Sequence, residues 1–267
     1  MDLTAGISEI LSSFDSITLP EMEAYMLMDR VDFKYVFPVC KIPVIIKDLG
    51  KNYKALDIES LRIFPYHTTY YDTGDWFFFR QHITDRGFRS KVRVRKYEQT
   101  GTSFLEIKNR TNKMRTEKWR IMKKVSLNEG FDQESLDFIR SYISHNSVSL
   151  APVIINRFNR VTLTSKSEEE RVTVDFNISF SDLDGNSFSI PDVGIIEKKR
   201  ADFSNRSVIS EAIKNAGIYP TGFSKYCLGT AVLHDPPGKS LLKPKHLLIN
   251  KIKNECIRQL SAGELFN

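Results

Sequence analysis

Cysteine is scarce in this chain of 267 residues: Cys40, Cys227 and Cys256 stand far apart, with no C-x-x-C pair among them. That spacing excludes a disulfide framework and predicts reduced, half-buried thiols of a cytosolic protein. The five histidines show no metal-ligand spacing, and His67 in a strand and His82 on a helix read as structural. No run approaches 18 apolar residues, so no membrane-spanning helix is expected. The start, MDLTAGISEILSSF, is acidic and amphipathic without a basic opening, which speaks against a signal peptide and for a cytoplasmic protein. Repeats, low-complexity tracts and linkers are missing too. So is a large excess of one charge: 39 Lys and Arg face 33 Asp and Glu, a net of +6. Basic character that matters must therefore be local.

What is present is a normal globular balance, 41% hydrophobic and 27% charged, enough to build a core. Within it, Phe88 to Tyr97 reads FRSKVRVRKY and Ser103 to Arg110 reads SFLEIKNR. With a period of two, Arg89, Lys91, Arg93 and Arg95 share one face, and Ser90, Val92, Val94 and Lys96 the other. At about 3.3 Å per residue these cations span roughly 20 Å of strand. The companion run sets Glu106 and Lys108 against Leu105 and Ile107. An apolar face to be covered, and a ladder of cations on the other, suit a surface that grips a polyanion.

The rest of the chain falls into place around these strands. Ile7 to Phe14 and Met22 to Met28 read as short helices, and Asp29 to Phe37 as a strand with Arg30, Asp32 and Lys34 on one face. Lys41 to Leu49 looks helical, and Arg62 to Asp72 is β-rich. Asp75 is placed to N-cap a helix through Trp76, Phe79 and His82. Met114 to Lys123 is a further cationic strand, with Lys118 and Arg120 on one face. Phe131 to Ile143 is an amphipathic helix with Leu136, Ile139 and Ile143 in its stripe. Val153 to Thr164, Arg171 to Phe180, Ser187 to Ile190 and Val193 to Arg200 are strands. Ser207 to Ala216 is a helix ended by Gly217, Ser224 starts another, and Lys245 to Leu260 is long and amphipathic, with Leu247, Leu248, Ile252, Ile257 and Leu260 on one side.

About eight strands with hairpin-like links predict an α+β protein: a closed antiparallel β-barrel, or tunnel, surrounded by helices. The polarity is inverted relative to small barrels, with cations inside and apolar residues under the helices. Inward cations repel and cost desolvation unless the cavity is wet and holds an anion, or carboxylates alternate with them. Glu106, Asp175 and Glu197 are positioned to do so. Such a lining suits a chain of phosphates with a divalent metal.

At this point the motifs VDFKYVF, YYDTGD, KVRVRKY, FLEIKNR, INRFNRVTL, RVTVDF, IIEKKR and FSKYCLG, in this order from Asp29 to Leu233, resemble the VTC domain. That family of triphosphate tunnel metalloenzymes polymerises polyphosphate in the vacuolar transporter chaperone complex. The resemblance implies one tunnel domain over 1–267, with N-terminal helices at 1–28, the tunnel at 29–233 and a C-terminal helix at 241–262. It implies binding of ATP or another nucleoside triphosphate with Mn²⁺ or Mg²⁺, and transfer of the terminal phosphoryl group to a growing polyphosphate chain. Carried over by motif, Lys34, Arg93, Arg95 and Lys108 fall on catalytic positions. Arg160, Arg171, Lys199, Ser224 and Lys225 fall among the phosphate-binding residues, and Glu197 on the metal-binding acid. Two departures stand out. Arg30-x-Asp32-x-Lys34 replaces the wider superfamily's E-x-E-x-K, and Gly222 stands where eukaryotic polymerases carry a further lysine.

Blander readings compete with these. Arg93 and Arg95 on an edge strand would merely discourage aggregation, and Glu106–Lys108 and Glu197–Lys199 would be surface pairs worth little. Lys225 would be a helix-start lysine, and Tyr70 and the Phe77 run simply core. Three other functions share the residues: a triphosphatase with water as acceptor, a polyphosphate or inositol-phosphate sensor that needs no Glu197, and a nucleic-acid ribbon. The last is disfavoured because acids interleave with the cations, whereas duplex binders show a one-signed stripe.

Overall fold

The computed structural model describes residues 2–24, 31–111, 116–123, 130–143, 149–200 and 206–261. The chain opens with helix α1 (Leu3–Ser12), strand β1 (Asp15–Ile17) and helix α2 (Leu19–Ala24), then strand β2 (Val31–Pro38). A 3-10 turn and helix α3 (Ile42–Ile46) lead to β3 (Tyr53–Leu56), β4 (Phe64–Thr73) and helix α4 (Phe77–Ile83). The cationic strands follow as β5 (Arg89–Tyr97), β6 (Ser103–Arg110) and β7 (Thr116–Met122), then helix α5 (Gln133–Tyr142). Long β8 (Leu150–Ser165) and β9 (Glu170–Ser181), short β10 (Ser187–Ile190) and β11 (Val193–Arg200) complete the strands. Helices α6 (Val208–Asn215), α7 (Lys225–Leu233) and α8 (Lys243–Ser261) end the described chain.

One curled sheet carries the order β2-β11-β9-β8-β4-β5-β6-β7, every neighbour antiparallel, with β1, β3 and β10 as side branches. The expected tunnel sheet of about eight strands is therefore found. Among the described residues β2 and β7 remain its two edges, so the barrel is curled rather than closed. β1 and β3 form a small parallel pair that the sequence reading missed; at three and four residues they are too short to show a period. The beginnings of the expected Asp29 strand and Met114 strand, and the end of the Met22 helix, lie outside the described residues.

The convex face is apolar. Tyr35, Phe37, Val161, Leu163, Val172, Val174, Phe176 and Ile196 pack under α1, α3 and α6. Val92, Val94, Leu105 and Ile107 pack under α5, with Ile139 and Ile143 fully seated. Burial of this kind contributes about 1.5–3 kcal/mol per large side chain before entropy is counted. Lys198 also points this way, fully buried, with its ammonium donating to Ser210 Oγ at 2.5 Å. No described helix is long and apolar enough to cross a membrane.

Two local expectations are corrected. Asp72, not Asp75, caps α4: its carboxylate accepts from the backbone N–H groups of Phe78 and Phe79 at 2.9 and 3.0 Å. Asp75 instead accepts from the Thr73 hydroxyl and from Arg80. On α8 the buried stripe is Ile252 and Cys256, flanked by Leu248 and Ile249, while Leu247 and Ile257 are exposed. A cysteine completes the stripe, and a search for large apolar residues passes over it. The side chain of Leu260 lies outside the described residues.

Candidate active site

Strand alternation places the concave-face residues. β2 turns Asp32 and Lys34 inward, and their register partners on β11, Lys199 and Glu197, face the same way. One strand further, Arg171 and Thr173 of β9 continue those rungs. Across β8, Arg160 stands opposite Asp175. On the other wall, Arg93 pairs in register with Glu106, and Lys91 with Lys108, while Lys118 of β7 lies opposite Lys108.

Four carboxylates organise these cations. Arg160 forks onto Asp175, with Nε to Oδ1 at 2.6 Å and a second N–H to Oδ2 at 2.7 Å, and Lys225 donates to the same Oδ2. A bidentate guanidinium–carboxylate pair fixes both groups in plane and direction. Arg93 Nε donates to Glu106 Oε2 at 2.7 Å, and Lys118 pairs with the other oxygen. Glu197 Oε1 receives Lys199 at 2.8 Å and Lys34 at 3.2 Å. Lys199 also reaches Asp32 at 3.5 Å, and Lys108 stands 3.8 Å from that acid's other oxygen. Because β2 and β6 are far apart along the sheet, this last contact shows how tightly the sheet curls. Arg95 Nε leans on the Thr68 hydroxyl at 3.4 Å, its guanidinium 5.2 Å from the Tyr66 ring centre.

The electrostatics follow from enclosure. Burial pushes Lys108 down to about 7 and Lys91 and Lys118 down to about 8. Burial also lowers Lys225, more than Asp175 restores. Lys34 goes the other way: burial pulls it down, but Glu197 and Asp32 outweigh that and raise it. Burial disfavours the charged form of Glu106 as well, yet Arg93, Arg95 and Lys118 hold it well below the usual carboxylate range. Lys118 and Glu106 thus both shift down, for different reasons: burial, helped by Arg93 and Arg95, outweighs the single acid beside Lys118, whereas three cations outweigh burial at Glu106. Glu197 and Asp175 are likewise held ionised by their cations. An enclosure with depressed lysines and saturated acids lacks negative charge, and a polyanion would supply it.

The charged lining ends partway along the strands. Two residues beyond Lys34 stands Val36, and two before Glu197 stands Ile195. With Tyr70, Ile154, Ile178 and Phe180 they form an apolar cluster on the concave side, covered by Tyr226, Cys227 and Leu228 of α7. A register shift at Arg157/Asn159 and the left-handed backbone of Asn177, φ 52°, turn β8 and β9 to present these side chains. Gly229 lets the helix in, because a Cβ there would lie 2.7 Å from both Ile154 Cδ1 and Phe180 Cδ1. The helices are thus not all outside, as the sequence suggested: α7 lies across the concave face and its start meets the cations. Ser224 caps it, accepting from the Cys227 N–H at 3.2 Å and from the Lys91 ammonium at 3.1 Å.

Lys34, Arg93, Arg95, Lys108, Arg160, Arg171, Lys199, Glu197, Ser224 and Lys225 therefore all come to one concave face. Arg30 lies outside the described residues. Sequence reasoning left Lys91 and Lys118 out of the site although Lys91 shares the period-two face that flagged Arg93 and Lys118 lies on the cationic face of the Met114 strand, and it did not single out Asp32 as an acceptor. Alternation alone would have found them. Tyr66, with Arg160 and Arg95 at 4.9 and 5.2 Å from its ring, carried no sequence signal.

A divalent cation fits this lining in one place. Asp32 and Glu197 converge on a single point, presently the Lys199 ammonium. Among the described residues no three His, Cys, Asp or Glu side chains gather as a cage. A pair of carboxylates with no third suits a metal that takes its remaining ligands from phosphate and water.

Among solved structures, a putative adenylyl cyclase HpAC1 from Hippeastrum, described as having a dominant triphosphatase activity, is 14% identical. The match covers 78% of this chain and 98% of that one, with a TM-score of 0.47. A putative adenylate cyclase from Vibrio parahaemolyticus is 13% identical over 74% and 95% of the two chains, TM-score 0.43. The S. pombe RNA triphosphatase Pct1 is 10% identical over 93% and 92%, TM-score 0.26. No curated protein matches. The VTC domain profile matches residues 29–234, the span that builds the whole concave face, and the chain belongs to the VTC domain family.

Proposed function

We propose that this protein is a polyphosphate polymerase: it binds a nucleoside triphosphate with a divalent metal in the basic bore and transfers the terminal phosphoryl group to a growing polyphosphate chain. The observation that carries the reading is the convergence of cations from seven strands and from the start of α7 on one concave face, interleaved with carboxylates. Phosphoryl transfer asks little covalent help of a protein; positioning and charge neutralisation dominate. Arg93, Arg95, Lys34, Lys108, Arg160, Arg171 and Lys199 would hold non-bridging oxygens, with the forked Arg160 and Arg93 orienting the chain. Lys225 and Ser224 present a helix start to the anion. Asp32 and Glu197 would hold the metal, Mn²⁺ or Mg²⁺, which when bound neutralises charge on the phosphoryl oxygens. The nucleophile is an oxygen of the acceptor phosphate, anionic at pH 7, so no activating Ser-His-Asp set is required.

The test is incubation with ATP and Mn²⁺ followed by gel detection of polymer, with an Arg93→Ala/Arg95→Ala double variant as control. Polymer from the native chain and none from the variant supports the proposal. Orthophosphate alone would replace it by a triphosphatase. Binding without turnover, unaffected by Glu197→Gln, would replace it by a phosphate sensor.

A further inference from the structure

The two cysteines furthest apart in sequence meet in space. Cys40 lies in the 3-10 turn after β2, and Cys256 near the end of α8; their sulfurs are 3.4 Å apart, at a sequence separation of 216. Both are buried and both are thiols. Buried free cysteines commonly act as small apolar filler. Here several contacts hold the sulfurs face to face. The Cys40 thiol donates to Gln259 Oε1 at 2.8 Å, one helical turn beyond Cys256. The Cys256 thiol points to the carbonyl of Asp192 at 3.5 Å, which also accepts the Val39 N–H at 2.8 Å. Lys41 and Glu255, the next residues along each segment, form an ion pair at 2.7 Å.

We infer that Cys40 and Cys256 are a redox modification site, a dithiol that hydrogen peroxide converts to a disulfide pinning α8 to the turn that ends the bore-wall strand β2. The Cys256 thiolate attacks one peroxide oxygen; the O–O bond breaks, hydroxide leaves and takes up a proton, and a sulfenic acid forms. The Cys40 sulfur then attacks the Cys256 sulfur, the S–O bond breaks, and water leaves with the Cys40 proton. Two thiols and one hydrogen peroxide give one disulfide and two waters. When the Cys40 hydrogen turns from Gln259 to Cys256, it and the Cys40 backbone N–H lower the Cys256 thiol from its ordinary value, which favours the thiolate. A disulfide needs roughly 2.05 Å between sulfurs, so the pair closes by about 1.4 Å. Cys227, in the first turn of α7, has no such thiol partner among the described residues.

The experiment treats the folded full-length chain with hydrogen peroxide, then maps its peptides without reduction, using the urea-unfolded chain as the control for oxidant reactivity. The expected result is a Cys40–Cys256 linked peptide, loss of two of the three titratable thiols, and a melting temperature higher on the order of 10 °C, reversed by dithiothreitol. Cys256→Ser abolishes both the link and the shift. Links between chains, Cys256 sulfinic or sulfonic acid without the link, or a folded pair that stays reduced while the unfolded chain's thiols oxidise would each overturn it. None of these readings depends on turnover.

Discussion

Glu106 is almost completely enclosed, and Arg93 and Lys118 both lean on it. Glu106→Gln keeps the shape and removes the charge, so two crowded cations lose their common partner. In a dry core that change costs about 3–5 kcal/mol; the bore is wetter, because Lys118 keeps about a third of its side chain exposed, and roughly 2 kcal/mol is expected from urea unfolding. Triphosphate affinity should fall in the same variant, since Arg93 loses its orientation. Lys108 yields a pH signature with two opposite slopes. Its pKa in the fold, about 7, lies below the usual 10.5, so the unfolded chain binds more protons between these values. Ligand-free stability should therefore rise from pH 7 to 9. Triphosphate affinity should fall over the same range as Lys108, then Lys91 and Lys118, lose their charge. Melting curves and titration calorimetry across that range check both slopes; parallel slopes would refute the assignment.

At the scale of elements, α7 is the piece that turns a basic surface into a blind-sided site, and its placement rests on two devices. One is Gly229, where an added methyl meets Ile154 and Phe180. Gly229→Ala should cost roughly 1–3 kcal/mol by overpacking, with triphosphate affinity reduced because Lys225 and Ser224 move with the helix. The other is Asp72, which caps α4 and accepts the Tyr226 hydroxyl of α7. Asp72→Ala should cost about 2 kcal/mol and loosen both helices, measured as faster amide exchange in α4 and α7. If exchange rises in α4 alone, the bridge to α7 is unimportant.

For the whole molecule, the concave face holds like charges together at the expense of stability, and a polyanion relieves this. Saturating inorganic triphosphate at about a hundred times its dissociation constant should stabilise the fold by about 2.7 kcal/mol, with orthophosphate doing much less at equal concentration. The effect should weaken with added salt, because counterions screen the bore. Triphosphate that leaves the melting temperature unchanged would show that the cations do not act as one site.

How much of this was legible beforehand varies with the range of the interactions. Strand alternation is a local property, fixed by the geometry of an extended chain, so the sequence by itself determined that Arg93, Arg95, Lys108, Lys34 and Glu197 share inward faces and that the convex side needs helices. The order of the motifs determined the family. Local chemistry also located the helix starts at Ser207 and Ser224, which the structure shows as caps, though not the cap at Asp72, whose six-residue reach to Phe78 spans a turn. Only the tertiary structure decided which acid answers which cation, because Arg160 with Asp175, and Arg93 with Glu106, depend on register between strands. It alone decided that α7 occupies the concave face, since the bulge at Arg157/Asn159 and the left-handed Asn177 have no signature in composition. And it alone brought Cys40 to Cys256: no periodicity links residues 216 apart, and only closure of the chain on itself sets their distance.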